Sequence, residues 1–350
     1  RTKYEVFAYS IGFQDRVVTR DEDFDREFDA SIDHRRLLPS DPWDIREQLI
    51  ADQLDVFLYA NATTFGVRDL DLALYHRVAP VQAVMNSHIP LALGYPSFDA
   101  IITGQSDDPD HEVDAADQPE RLVRVPGPVI CYLNSLKPRP APAFDRAALG
   151  LGKDEIVLFN AGSLSKLRHD CLATMMRAAK QAPGARLLLA PYNPGWVARS
   201  QALAFNRQLH ETAEEVGLDP ARITVMGELS VAEAEAALAL SDLYLAPFPH
   251  GGATMTHLAL IYGVPPVVLR RHSTRSIDQF LVDILGMREL LVSTPDDYVA
   301  RVVELATDTG ARRALATAMK EAARKPAFVA NPDYSLAMMA AVETLLPRGI

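Results

Sequence analysis

The stretch Asp242–Leu269, DLYLAPFPHGGATMTHLALIYGVPPVVL, decides the fold. It passes from an apolar run through a Pro/Gly turn into a helix-like segment and then into a second apolar run, which reads as strand, turn, helix, strand. Working outward, five apolar runs (EIVLFNAG, ARLLLAP, RITVMGE, DLYLAPF and PPVVLRR) alternate with amphipathic segments, of which CLATMMRAAKQA and VAEAEAALALS are the clearest. That alternation describes a doubly wound parallel sheet. In the usual strand order for such sheets, 3-2-1-4-5, the first and fourth strands are neighbours where the winding reverses, and ligands bind outside their carboxyl ends.

The loops after those two strands are NAGSLSKLRHD, which carries Lys166, and FPHGGATMTHL, which runs into a helix. Gly251 and Gly252 leave the backbone free to approach a ligand, and the helix start offers unpaired N–H groups and partial positive charge to a phosphate. Lys166 adds a point charge across the crevice. A lone lysine after a strand is most often surface decoration, and Gly-Gly before a helix is often only a turn. Their placement at the two loops of one switch point is what predicts a nucleotide or phosphate site.

The amino-terminal half has the same alternation, with strands expected near Glu5–Ser10, Asp55–Asn61, Val81–Met85, Ala100–Thr103 and Leu122–Val125 and helices near Trp43–Asp52 and Asp69–Arg77. The chain is therefore α/β throughout. Pro138, Pro140 and Pro142 interrupt any helix or interior strand and place a linker near residues 136–152. Two domains follow, residues 1–140 and 141–350. The segment GQSDDPDHEVDAADQPE is acidic without a cation and reads as a solvated loop.

Composition removes several function classes. A net charge of -11 argues against nucleic acid as the main partner, although a local basic pocket can still hold one phosphate group. No apolar run is long enough for a membrane span. Cys131 and Cys171 form neither a disulfide framework nor a metal site, and without a signal-peptide pattern the reading is cytoplasmic. His250, His257 and His272 lack zinc-site spacing with any carboxylate or cysteine, so no metal is expected.

At these residues the chain resembles glycosyltransferase family 41, which holds protein O-GlcNAc transferases, SPINDLY-type enzymes and bacterial N-glucosyltransferases. The segments KYEVFAYS, IADQLDVFLYANATTFGVRDLDLALYHRVAPVQAVM, FDAIITGQ, GSLSKL, LSDLYLAPFPHGGATMTHLALIYGVPPV and IDQFLVDILGMRELLVSTPDDYVARVVELATD fall in family order. APVQA and the PFPHGG...YGVP block are the most specific. The resemblance implies a GT-B fold, two Rossmann-like domains with a cleft between them. It places Lys166 on the donor diphosphate and His250, Gly251, Gly252, Ala253 and Thr254 at the loop and helix start that receive the nucleotide. The family's first strand and helix would lie upstream of Arg1, and an upstream tetratricopeptide-type region is a further expectation.

The departures are as specific. The family's ribose-binding aspartate is Leu258 here, next to His257, which is the substitute candidate for holding the ribose. Ser163 stands for the Gln or Asn that precedes the lysine by three, and Ala253-Thr254 for the Thr-Thr or Thr-Asn pair. The loop after the PIQA-like segment reads NSHIP, which makes His88 the internal candidate for an acceptor-side catalytic role. The implied activity is metal-independent transfer of a hexosyl or N-acetylhexosaminyl group from a nucleotide donor, UDP-linked first with other donors, including a CMP-linked acidic sugar, left open, to a protein or peptide acceptor, O-linked before N-linked. No cofactor is expected. The alternative is a GT-B-shaped module that binds or scaffolds without catalysis.

Overall fold

The computed structural model describes residues 4–11, 30, 32–59, 68–85, 94–105, 120–126, 144–192, 199–270, 277–324 and 332–346. The chain divides into two compact units, Arg1–Cys131 with Pro332–Ile350, and Tyr132–Asn331.

The first unit contains β1 (Phe7–Ile11), β2 (His34–Leu38), β3 (Val56–Tyr59), β4 (Val81–Met85), β5 (Ala100–Gln105) and β6 (Arg121–Pro126). β1 and β2 form a parallel pair, and β3-β4-β5-β6 form a second parallel sheet in sequence order. The helices Pro42–Ala51 and Arg68–Leu74 stand close to the expected ones, the first capped by the Asp41 side chain with Pro42 at its opening position. β2 was not expected. Its sequence, HRRLL, shows no apolar alternation, and it holds its place by pairing along β1 and through an Arg36–Asp52 ion pair of 3.2 Å.

Chain order assigns the last helix, Pro332–Glu343, to the second domain, yet it covers the sheet of the first unit. Ala337, Met338, Ala341 and Val342 pack on a cluster of Ala83, Ala100, Ile102, Val123 and Val125, and the Arg121 guanidinium donates to the Thr344 carbonyl at 3.1 Å. An apolar stripe on a helix predicts burial without saying which sheet it meets.

The second unit contains β7 (Ile156–Asn160), β8 (Ala185–Leu189), β9 (Ile223–Val225), β10 (Leu243–Leu245), β11 (Pro266–Leu269) and β12 (Leu291–Val292) in the parallel order β12-β11-β10-β7-β8-β9. That is the expected order with a sixth strand at the edge. Leu158, Phe159, Leu188, Tyr244 and Leu245 have no exposed surface, because helices cover both faces and continuous apolar strands are needed to fill the space between. The helix His169–Gln181 buries Cys171, Leu172, Met175, Met176, Ala178 and Ala179, positions of one helical face. Helices Val231–Ala239 and Pro295–Thr307 each start with a reciprocal capping box, Ser230 with Glu233 and Thr294 with Asp297. Among the described residues no helix is long and apolar enough to cross a membrane.

Candidate functional site

The winding reverses between β7 and β10, which pair through Leu158 with Leu243 and Phe159 with Tyr244. The last residue of β7, the buried Asn160, ties the two strand ends together. Its Nδ2 donates to the Leu245 carbonyl at 2.6 Å, and its Oδ1 accepts from the Gly162 amide at 2.8 Å. With both amide atoms engaged, the turn leaving β7 has a fixed direction. A single 3-10 turn, Leu164–Lys166, follows, with Ser163 at its start and the Ser163 hydroxyl 3.1 Å from that of Ser165.

The turn sends the half-buried Lys166 to the opposite loop, where Nζ donates to the Gly251 carbonyl at 2.6 Å. Loss of water around the ammonium holds its pKa below the ordinary lysine value, opposed by the negative charge of Asp278. Thus the two loops singled out in the sequence meet, through a lysine and a backbone carbonyl.

The second loop leaves β10 through a cis Phe248–Pro249 bond and enters the helix Thr254–Tyr262. Two of the amides that the sequence offers to a phosphate are held by the chain itself. Asp278, in the first turn of the helix Ile277–Leu285, accepts from Gly252 N–H at 2.7 Å and from Ala253 N–H at 2.6 Å. The carboxylate has no exposed surface. Burial raises its pKa, and the two amides and Lys166 pull it back.

Gly252 must be glycine for a reason below the loop as well as above it. A Cβ there would overlap the hydroxyl of fully buried Tyr244 and stand 3.0 Å from Thr256 Oγ1. Ala253, the residue preceding the helix, has φ 48° and ψ -96°, a backbone region that L side chains avoid. Ala253→Gly is therefore expected to stabilise the protein by about 1 kcal/mol, read as a higher urea midpoint at unchanged slope. A lower midpoint would remove the strain from Ala253.

The helix after the loop is enclosed on nearly every side. Thr256, His257, Leu258, Ala259 and Leu260 are all buried, and the helix packs against Val231–Ala239, Ile277–Leu285 and Thr309–Ala322. His257 has no exposed surface, and burial drives its pKa down to about 3, so the ring is neutral at pH 7. Leu258, at the place of the family's aspartate, is 2% exposed. His88 and its NSHIP loop lie outside the described residues, as does His272. Among the described residues no group of three His, Cys, Asp or Glu is arranged to hold a metal ion.

Sequence reasoning missed Asn160, Tyr244 and Asp278. The Asn-Ala-Gly step after a strand does signal a side-chain turn at Asn160. Asp278 carries only the signal of an acid in a first helical turn, which ordinarily answers the helix dipole.

No protein-family model matches the chain. Among curated proteins it is similar to probable SPINDLY-type UDP-N-acetylglucosamine–peptide N-acetylglucosaminyltransferases. With that of Solanum lycopersicum it shares 26% identity over 91% of this chain and 33% of the relative, and with that of Arabidopsis thaliana 26% over 98% and 36%. Among solved structures, a point mutant of the Thermobaculum terrenum O-GlcNAc transferase superposes with a TM-score of 0.77 at 22% identity, covering 99% of this chain and 62% of the other. By these likenesses the chain resembles a catalytic region of glycosyltransferase family 41 type. A sucrose-phosphate synthase from Thermosynechococcus elongatus, at a TM-score of 0.59, 16% identity, and 86% and 77% coverage, shares the same wider GT-B fold. The region spans about a third of the length of the SPINDLY-type relatives it matches.

Proposed function

We propose that this region transfers a sugar, N-acetylglucosamine first, from a UDP-linked donor to a hydroxyl of a protein or peptide. The observation that carries the reading is the meeting of Lys166 with the Gly251 carbonyl where β7 and β10 end, in a chain whose curated relatives are named for this transfer. In that role the ammonium of Lys166 and the start of the helix Thr254–Tyr262 face the diphosphate. They stabilise the charge that develops on it as the glycosidic bond breaks, and the acceptor oxygen attacks the anomeric carbon in line. Positive groups of the chain suffice for this leaving group. His250, Gly251 and Thr254 line the approach, and Ser163 borders it beside Lys166. His88 is kept as the acceptor-side candidate.

Lys166→Ala should weaken UDP-sugar binding by about 1.5–3 kcal/mol while the circular dichroism stays native. In the wild type the affinity should fall as pH rises through the lowered lysine pKa, because only the ammonium attracts the diphosphate; the variant should lose that fall. Calorimetric titration of UDP-GlcNAc against pH, paired with UDP release in the presence of peptide, is the test. Equal affinity in the two proteins would move the diphosphate elsewhere.

Nucleotide binding without sugar transfer to any peptide would overturn the reading and leave a binding module without turnover.

A further inference from the structure

Three consecutive residues of the donor loop are gripped by two side chains of opposite charge. Lys166 holds Gly251 by its carbonyl, and Asp278 holds Gly252 and Ala253 by their amides. Two adjacent N–H groups converging on one carboxylate form a backbone nest, an arrangement that ordinarily receives an anion from outside. Here the anion is internal and buried. The helix Thr254–Tyr262 has no side-chain cap from Ala253, so Asp278, reaching over from another helix, satisfies amides at its approach.

We propose that Asp278 is a positioning residue of the donor site: its carboxylate, seated in the Gly252–Ala253 nest, sets the shape of residues 250–254 before a donor arrives. The inference rests on the function proposed above. It follows from three observations together. The carboxylate makes two short bonds to the loop, so the loop cannot turn those amides outward without breaking both. Ala253 sits in a disfavoured backbone region, which persists only where neighbours hold it there. Gly252 rests on the Tyr244 hydroxyl, so it cannot sink away from its position. What the loop then presents to a diphosphate is the Thr254 end of the helix, beside the ammonium of Lys166, in one preset arrangement. The Asp278 charge also favours the protonated form of Lys166, keeping that group cationic in a half-buried place. The role differs from that of a competing anion, which would have to leave before a phosphate could enter.

The test uses the whole chain as wild type, Asp278→Asn and Asp278→Ser, the last keeping a small acceptor should the amide variant fail to fold. Amide hydrogen exchange is followed across 248–256 in the nucleotide-free proteins, and UDP is titrated into each. The expected result is exchange faster by about ten-fold or more in that segment alone, together with UDP binding weaker by about ten-fold or more. Tighter UDP binding in the variants would overturn the proposal and make Asp278 a competing anion. Faster exchange with unchanged UDP affinity would leave it a structural residue only. Unchanged exchange would remove the grip itself. A wild type that binds no UDP would sink the donor-site reading and this inference with it, a result distinct from equal measurable affinities.

Discussion

Leu258→Asp lowers the stability of the protein by about 4 kcal/mol or more at neutral pH, the scale of a buried charge without a partner. Leu258 is 2% exposed, and its neighbours His257 and Ala259 have no exposed surface. The resemblance to family 41 makes aspartate the natural restoration at this position, and a restored ribose contact would tighten UDP. The enclosed helix predicts the opposite. The new carboxyl has a folded pKa raised above its unfolded value, so the folded state takes up a proton. The penalty is therefore smallest below the unfolded value and grows as pH rises to the raised one. Urea unfolding of both proteins from pH 4 to pH 8 reads the loss and its slope. A variant as stable as wild type that binds UDP more tightly would place position 258 at an open ribose subsite.

The second large effect is at Gly252, where even a methyl group overlaps the Tyr244 hydroxyl. Gly252→Ala should cost about 2–3 kcal/mol, the upper range for forcing atoms into a filled interior, and should take UDP binding with it. Removing the hydroxyl opens the space. In a Tyr244→Phe background the same change should cost less than half as much, with a coupling above about 1 kcal/mol in the double-mutant cycle. The remaining neighbours, Thr256 Oγ1 at 3.0 Å and the Tyr244 ring at 3.3 Å, are tight but near contact distance. Additive losses would mean that Tyr244 is not the wall, and that the glycine serves only the approach of a ligand from above.

These two positions mark where the sequence is legible and where it is not. The strand order of the second unit follows from periodicity, because parallel strands covered on both faces have to be largely apolar, and β7 is up to Asn160, β8 after Arg186 and β10 throughout. The meeting of the Lys166 and Gly251 loops follows from that order alone. What lies under the loop does not. Tyr244 reads as one more core aromatic of an apolar strand, and nothing in LYL says that its hydroxyl ends beneath a glycine. Asp278 stands 25 residues after Ala253, a separation that no local pattern bridges. β2 escaped notice for a related reason: a strand fixed by its neighbour's backbone and by ion pairs need carry no apolar alternation.

The return of the helix Pro332–Glu343 to the sheet of β3–β6 gives the chain a nested plan. Residues Tyr132–Asn331 are, in topological terms, a cassette spliced into a discontinuous host, joined to it at both ends. The cassette carries its strands, capping boxes and Lys166–Asp278 clamp within one contiguous segment, whereas the host acquires its last covering helix only after the cassette has been synthesised. The apolar face of the host's closing helix has to match strands laid down more than two hundred residues earlier.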